Sequence, residues 1–320
     1  MSSLVIILTG VLASGYTATA VTTQGDVFTH IDLDDQVFEE NVLFQQPTMT
    51  RPHCAALCQK QACCVTFTFY QNVCRGHDAL MTSNKSSTIL SGARSFARKN
   101  HAVEVRLVDG YNNYSGRIEV KLGGTWGTVC SDHFDELDAT VFCRLLGFSG
   151  SGEHGILEKI WGIGGSRFFG PGSGDILIDD LNCTGYEQCL HGCTFTGAEN
   201  QNCVHEQDSG AICGLAIRLT NGSSQYEGRV EVRIGPTAWG TVCNDGWGAE
   251  ETQVLCRELG YPSENATVWP GAYFGQGGGD IFVDTVRCEG NEPALLHCDI
   301  NWPMGNHNCT HSQDVCVTCA

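Results

Sequence analysis

The sequence predicts an α+β protein built from tandem, disulfide-stapled modules. Three observations carry that reading. Gly116-Arg-Ile-Glu-Val-Lys-Leu-Gly-Gly-Thr-Trp-Gly-Thr-Val-Cys130 returns as Gly228-Arg-Val-Glu-Val-Arg-Ile-Gly-Pro-Thr-Ala-Trp-Gly-Thr-Val-Cys243, and the match continues cysteine by cysteine to the C-terminus. The chain holds 19 cysteines in 320 residues, a framework that only an oxidising compartment makes useful. Within each repeat a period-two strand pattern gives way to a helical one.

Taken in order, residues 1–20 predict a secretory signal peptide. Leu4 to Ala13 is apolar, and Ala18-Thr19-Ala20 is a small-residue cleavage pattern. At roughly ten apolar residues the run is too short for a bilayer, which needs about twenty. Sequons at Asn84, Asn113, Asn182, Asn221, Asn265 and Asn308 fit export. Residues 21–100 form a separate unit. Phe28, Ile31, Leu33, Val37 and Phe38 mark a strand-like start. Pro52 to Gln59 reads as a short helix with Cys54 and Cys58 on one face. Val65 to Tyr70 alternates as a strand and is followed by Cys74.

The first repeat spans residues 103–213. Ile118, Val120 and Leu122 alternate with charged residues. Asp135 to Gly147 predicts a helix with Leu137, Val141 and Leu145 along one stripe, widened by Phe142 and Leu146. The long Gly-rich stretch from Ser149 to Ser173, with Trp161, Phe168 and Phe169, is the expected place for ligand contact. Ile176, Ile178 and Leu181 then form a buried strand. The second repeat, residues 216–320, restates the strand at Val230, Val232 and Ile234 and the helix at Ala249 to Leu259. Only Gly214 and Leu215 separate the repeats, so their relative pose should be nearly fixed.

The net charge of −18 falls wholly on the repeats, since residues 104–320 carry eleven basic and 29 acidic residues while residues 1–103 balance. A nucleic acid partner or an anionic membrane is therefore disfavoured, and cations or cationic surfaces are favoured.

The ordered motifs Trp-Gly-Thr-Val-Cys-Ser-Asp, Val-Phe-Cys-Arg-Leu-Leu-Gly-Phe, Cys-Thr-Gly-Tyr-Glu and Asn-Cys-Val-His-Glu-Gln-Asp, each matched in the second repeat, resemble the scavenger receptor cysteine-rich (SRCR) domain in its six-cysteine form. The resemblance implies a curved β-sheet cradling one helix in each repeat. It implies the pairings Cys130 with Cys203, Cys143 with Cys213, Cys183 with Cys193, Cys243 with Cys309, Cys256 with Cys319, and Cys288 with Cys298. Each long-loop bridge contributes up to about 4 kcal/mol by restricting the unfolded chain. Residues 21–100 resemble the PAN/apple module, a small α+β unit. That resemblance implies Cys54 with Cys74, and Cys58 with Cys63 or Cys64, with Cys64 the expected partner. Cys189, Cys316 and the remaining cysteine of the Cys63–Cys64 pair are then spare. One reading bridges Cys189 to Cys316 and leaves the N-terminal spare for a disulfide-linked dimer.

The SRCR resemblance also implies cation sites, with Ca²⁺ as the cofactor that hard oxygen ligands suit. In the second repeat these are Asp245 and Glu292, adjoined by Asp284 and Asn291. In the first they are Asp132 and Glu187, near Asp179 and Asp180. Ser131 and Asn244 stand where the family has a further Asp, which lowers the ligand charge. His205 and His311 recur at equivalent positions, as structural residues would. No His-Glu-x-x-His, Gly-x-Ser-x-Gly or phosphate loop occurs, so no catalytic residue is expected. The reading is a secreted, extracellular binding protein for extracellular protein, glycan, polyanionic or microbial surface ligands. The alternative is an acidic calcium-associated matrix or secretion component.

Overall fold

A computed structural model describes residues 6–11, 17–23, 26–31, 36–38, 42–48, 50–61, 63–77, 87–89, 93–98, 103–148, 159–300 and 307–320. In the N-terminal unit, strands β1 (Ile6–Val11), β2 (Thr17–Thr23), β3 (Asp26–Ile31), β4 (Gln36–Phe38) and β5 (Val42–Pro47) precede helix α1 (Arg51–Gln59). Strands β6 (Thr66–Tyr70), β7 (Val73–His77), β8 (Ser87–Ile89) and β9 (Arg94–Arg98) follow it. Seven of them form one sheet in the order β1-β2-β3-β9-β6-β7-β5. The segment read as a leader therefore supplies an edge hairpin here, and cleavage after Ala20 would remove β1 and the first half of β2. Helix α1 starts at Thr50, whose hydroxyl accepts from the His53 N–H, and its proline sits in the first turn. Its buried face, Cys54, Ala55 and Cys58, packs on the fully buried Phe67 and Phe96, whose rings stack with centroids 5.0 Å apart. Cys54–Cys74 ties that helix to β7, and Cys58–Cys64 ties it to the approach of β6.

The first repeat builds β10 (Glu104–Val108), β11 (Ser115–Leu122), β12 (Thr125–Val129), α2 (Glu136–Leu145), β13 (Lys159–Ile163), β14 (Asp175–Asn182), β15 (Thr194–Gly197) and β16 (Gly210–Asn221). Ile118 and Val120 are fully buried, as the alternation requires. Asp135 caps α2 in a reciprocal box with Asp138. The helix buries Asp138, Ala139, Val141, Phe142 and Cys143, a stripe rotated from the expected one. Leu137 is 48% and Leu145 36% exposed. The reason is the Cys143–Cys213 bridge, which turns the cysteine toward β16 and moves Leu137 to the rim, over Gly185. Gly147, at φ +86°, ends the helix.

The second repeat adds β17 (Glu227–Ile234), β18 (Gly240–Asp245), α3 (Ala249–Glu258), β19 (Thr267–Trp269), β20 (Ile281–Arg287), β21 (Asp299–Ile300) and β22 (Cys316–Thr318). Both repeats share one 13-stranded sheet whose main path is β15-β14-β12-β11-β16-β17-β18-β20-β21. The join is β16 itself. Its first half pairs with β11 and β13, and its second half pairs with β17 from Leu215↔Ile234 to Asn221↔Gly228. Gly214 sits where the halves meet, at φ +83°, and a Cβ there would lie 2.4 Å from the Phe148 ring, so only glycine fits.

The core follows the same continuity. Trp161, Ile163, Phe168 and Phe169 of the first repeat and Val230, Val232, Phe282 and Leu295 of the second belong to one buried cluster. This corrects the expectation for Ser149 to Ser173. Residues 149–158 lie outside the described residues, and the aromatic residues beyond them are spent on packing the repeats together. Trp161 is 8% exposed and meets His297 edge-on. Around it, Lys159 bonds Glu258, Arg167 bonds the Cys298 carbonyl, and the Asn112 amide donates to the Ile234 carbonyl. The Tyr111 hydroxyl donates to Asp280 while its ring stands edge-on to Phe282 at 4.8 Å. Burial and the Asp280 carboxylate push the Tyr111 phenol up to about 12.

Candidate functional site

Each repeat places its acidic residues on a cystine scaffold, and the two copies superpose in chemistry. The structure joins Cys130 to Cys203, Cys143 to Cys213, Cys183 to Cys193, Cys243 to Cys309, Cys256 to Cys319, and Cys288 to Cys298. The spare cysteines differ from the expected arrangement. Cys63 bonds Cys189, fastening the N-terminal unit to the first repeat, and no Cys189–Cys316 bridge forms. Cys316 is the free thiol, fully buried in β22, where burial pushes its pKa up. A buried, protonated thiol presents no nucleophile at the surface, so the dimer through a spare cysteine is not supported by this fold. The physical reason is local, because Cys316 stands where the first repeat has Gly210, packed under Phe169.

The candidate cation ligands divide into two kinds. Asp132 and Asp179 lie together beside the Cys130–Cys203 bridge, and Asp245 and Asp284 lie together beside Cys243–Cys309, with their ligand atoms within 4.8 Å of one another. The sulfurs in both clusters are cystine sulfurs, which leaves the carboxylates as the donors. Asp179 is 1% exposed and accepts from the Asp180 and Asn202 N–H groups. The Gln207 amide donates to Asp132, and the Gln313 amide donates to Asp245 at 3.4 Å. Asp245 and Asp284 are both half-buried. Among the described residues, no lysine or arginine pairs with any of the four.

Glu187 and Glu292 fall in separate clusters, at Cys183–Cys193 and Cys288–Cys298. Their carboxylates close their own loops. Glu187 accepts from the Thr184 N–H and hydroxyl, and Glu292 from the Glu289 and Gly290 N–H groups. Burial pushes the Glu187 carboxyl up, but the Thr184 hydrogen bonds outweigh it and hold the group below the usual range. The Glu289 N–H does the same for Glu292. An arginine from each helix, Arg144 or Arg257, clamps the carbonyls of the same loop. Asn291 is exposed at the loop tip, and Asp180 is exposed with His133 3.9 Å away.

The recurring histidines hold the modules together internally. His205 Nδ1 faces Asp208 at 3.0 Å and its Nε2 faces the Gly174 carbonyl at 3.2 Å. His311 repeats this with Asp314 and Gly279. Asp208 and Asp314 each also accept a glycine N–H, from Gly172 and Gly277, at 2.7 Å. Sequence patterning does not reveal the Tyr111–Asp280 contact, because Ser223 replaces the tyrosine in the second repeat. That departure from the repeat is the one signal that could have found it. Asn113, Asn182, Asn221, Asn265 and Asn308 are all exposed, and Asn84 lies outside the described residues. No helix among the described residues is long and apolar enough to cross a membrane.

A family model for the scavenger receptor cysteine-rich domain matches residues 108–214 and again residues 220–320. Solved structures agree in sequence. The third SRCR domain of murine neurotrypsin is 47% identical, with 33% of this chain and 96% of that chain covered at a TM-score of 0.30. The SRCR domain of mouse MARCO, in its dimeric form, is 40% identical, with 34% of this chain and 94% of that chain covered at a TM-score of 0.27.

Proposed function

The chain belongs to the scavenger receptor cysteine-rich domain family, carried as two tandem modules, and from this premise we propose that it is a secreted, non-catalytic binding protein. Its ligands on this reading are microbial surface, polyanionic or extracellular protein groups, engaged in part through Ca²⁺. The N-terminal unit is read as PAN/apple-like on its short helix held to a hairpin by Cys54–Cys74. The exposed sequons are read as glycan sites.

The observation that carries the cation reading is the proximity of Asp245 to Asp284 with no ion pair from either to a lysine or arginine among the described residues. Two nearby carboxylates repel unless a cation or a proton is shared between them. Hard oxygen donors fit Ca²⁺, which takes six to eight oxygens, and a site with only two carboxylates holds it weakly with water completing the shell. Asp245 and Asp284 would hold the ion in the second module, and Asp132 and Asp179 in the first. The second site is the stronger, because Asp284 is half-buried whereas Asp179 is sealed and already holds two backbone N–H groups. A bound ion would present positive charge from an acidic surface to an anionic ligand.

Calcium titration of the full chain by calorimetry, followed by binding to bacteria and to a sulfated polymer with and without chelator, tests this. Heat of binding that vanishes in Asp245→Asn/Asp284→Asn, with surface binding lost in chelator, supports the proposal. Calcium uptake without any surface recognition would point instead to a calcium-associated matrix component.

A further inference from the structure

A cleft of about 590 Å³ opens on the first module, on the side of the Cys130–Cys203 bridge where Gly174 leads into β14 at Asp175. Its lining includes Ile176, which is 6% exposed, and Val204, which is 56% exposed, so apolar surface extends from the interior to the rim. Two carboxylates, Asp175 and Glu206, border it. Neither pairs with a lysine or arginine among the described residues. The charged groups behind the wall are already matched. His205 faces Asp208, and Arg117 is turned inward to Asp109, Glu119 and the carbonyls of Phe169 and Gly170. The module around the cleft is itself acidic, with 16 Asp/Glu against 6 Lys/Arg in residues 103–213.

The second module shows how this corner of the sheet is used. Asp280 is the counterpart of Asp175 in the repeated Gly-Asp-Ile sequence, and it accepts the hydroxyl of Tyr111 from the neighbouring module. The position therefore already holds a donor side chain from an adjoining unit once within this molecule. Glu206 has no acidic counterpart, since Ser312 stands there. The second negative charge belongs to the first module alone and selects a cation over a phenol.

We propose that this cleft is a ligand site separate from the carboxylate pairs, receiving one basic side chain, arginine or lysine, of an extracellular protein partner. The alkyl stem lies along Ile176 and Val204, and the charged head bonds Asp175 and Glu206. A guanidinium, with its planar fork of donors, is bound more tightly than an ammonium. The site goes beyond the calcium reading and needs no metal.

The test is NMR titration of the isotope-labelled full chain with Nα-acetyl-arginine amide in the presence of chelator. Saturable shifts centred on Gly174, Val204 and Glu206 are expected. The lysine analogue should bind more weakly, and Asp175→Asn/Glu206→Gln should weaken binding roughly tenfold, as lost charge-assisted hydrogen bonds require. Both replaced side chains lie at the surface, and an unchanged spectrum elsewhere verifies the variant fold. Equal binding by that variant, equal shifts from the uncharged norvaline amide, or no shifts at the cleft would overturn the assignment. Chelator keeps this outcome independent of the calcium result, so either reading can fail alone.

Discussion

Replacing Trp161 with alanine tests whether the two modules share one core. The indole is 8% exposed. A tryptophan side chain carries about 200 Å² of surface, so its burial is worth about 4–5 kcal/mol at 25 cal/mol/Å². The unfolded chain already hides part of that area, which lowers the figure to about 3–4 kcal/mol. Among the described residues the indole N–H has no hydrogen-bond partner, so truncation breaks no bond there and relieves a buried donor worth about 1 kcal/mol. The expected net loss is about 2–3 kcal/mol, at or just below the lower end for tryptophan-to-alanine changes. For a unit of about 200 residues this lowers the midpoint by roughly 4–12 °C. The assay is calorimetry of the oxidised full chain with hydrogen exchange followed by mass spectrometry. One SRCR transition should move down as a whole, and protection should fall in α3 as well as in α2. If instead the second module kept its wild-type midpoint while the first melted early, the shared core would be refuted.

Three further outcomes follow from the geometry. Burial pushes Asp138 up to about 6 from 3.8, so the folded state holds its proton more tightly than the unfolded chain does. The sign is that stability rises as pH falls through 6, is complete below about 4, and is lost as pH rises, by up to about 3 kcal/mol. Urea midpoints from pH 7 to 4, compared with Asp138→Ala, should show the wild-type advantage growing on acidification, and a shrinking advantage would contradict the assignment. Tyr111, pushed up to about 12, should ionise after the exposed tyrosines in an absorbance titration and fall only part of the way back in Asp280→Asn, because burial, the larger cause, remains. Its contribution is present below pH 10 and disappears as pH rises through 12, and Tyr111→Phe should cost about 1–2 kcal/mol. Non-reducing peptide mapping should recover a fragment joining Cys63 to Cys189, with Cys316 alkylated only after denaturation. Labelling of Cys316 in the native protein would show the assignment to be wrong.

Local periodicity made most of the scaffold legible, and the tandem repeat made it legible twice. Strands around Ile118 and Val230, helices from Asp135 and Ala249, and the tight join at Gly214 could all be read from residues and spacing. The failures share one cause, which is that patterning does not encode contacts between units. The buried stripe of α2 departs from the leucine spacing because a cystine sets the helix rotation. Trp161, Phe168 and Phe169 look like an exposed aromatic loop until the second module is placed against them. Cys189 has no mark in the sequence that distinguishes Cys63 from Cys316 as its partner. Among the acidic residues, proximity of Asp245 to Asp284 depends on adjacent parallel strands, β18 and β20, separated by more than thirty positions. The loop-closing work of Glu187 and Glu292 depends on backbone N–H directions that composition does not record.

The continuous strand β16 has a bearing on recognition. Two domains on a flexible tether must be oriented afresh each time both engage a target, and the lost freedom weakens the second contact. Here that alignment is completed when the chain folds, so a target carrying suitably spaced groups meets both faces at once. Reach is the corresponding sacrifice, because a target with the wrong spacing finds a single face and gains nothing from the other.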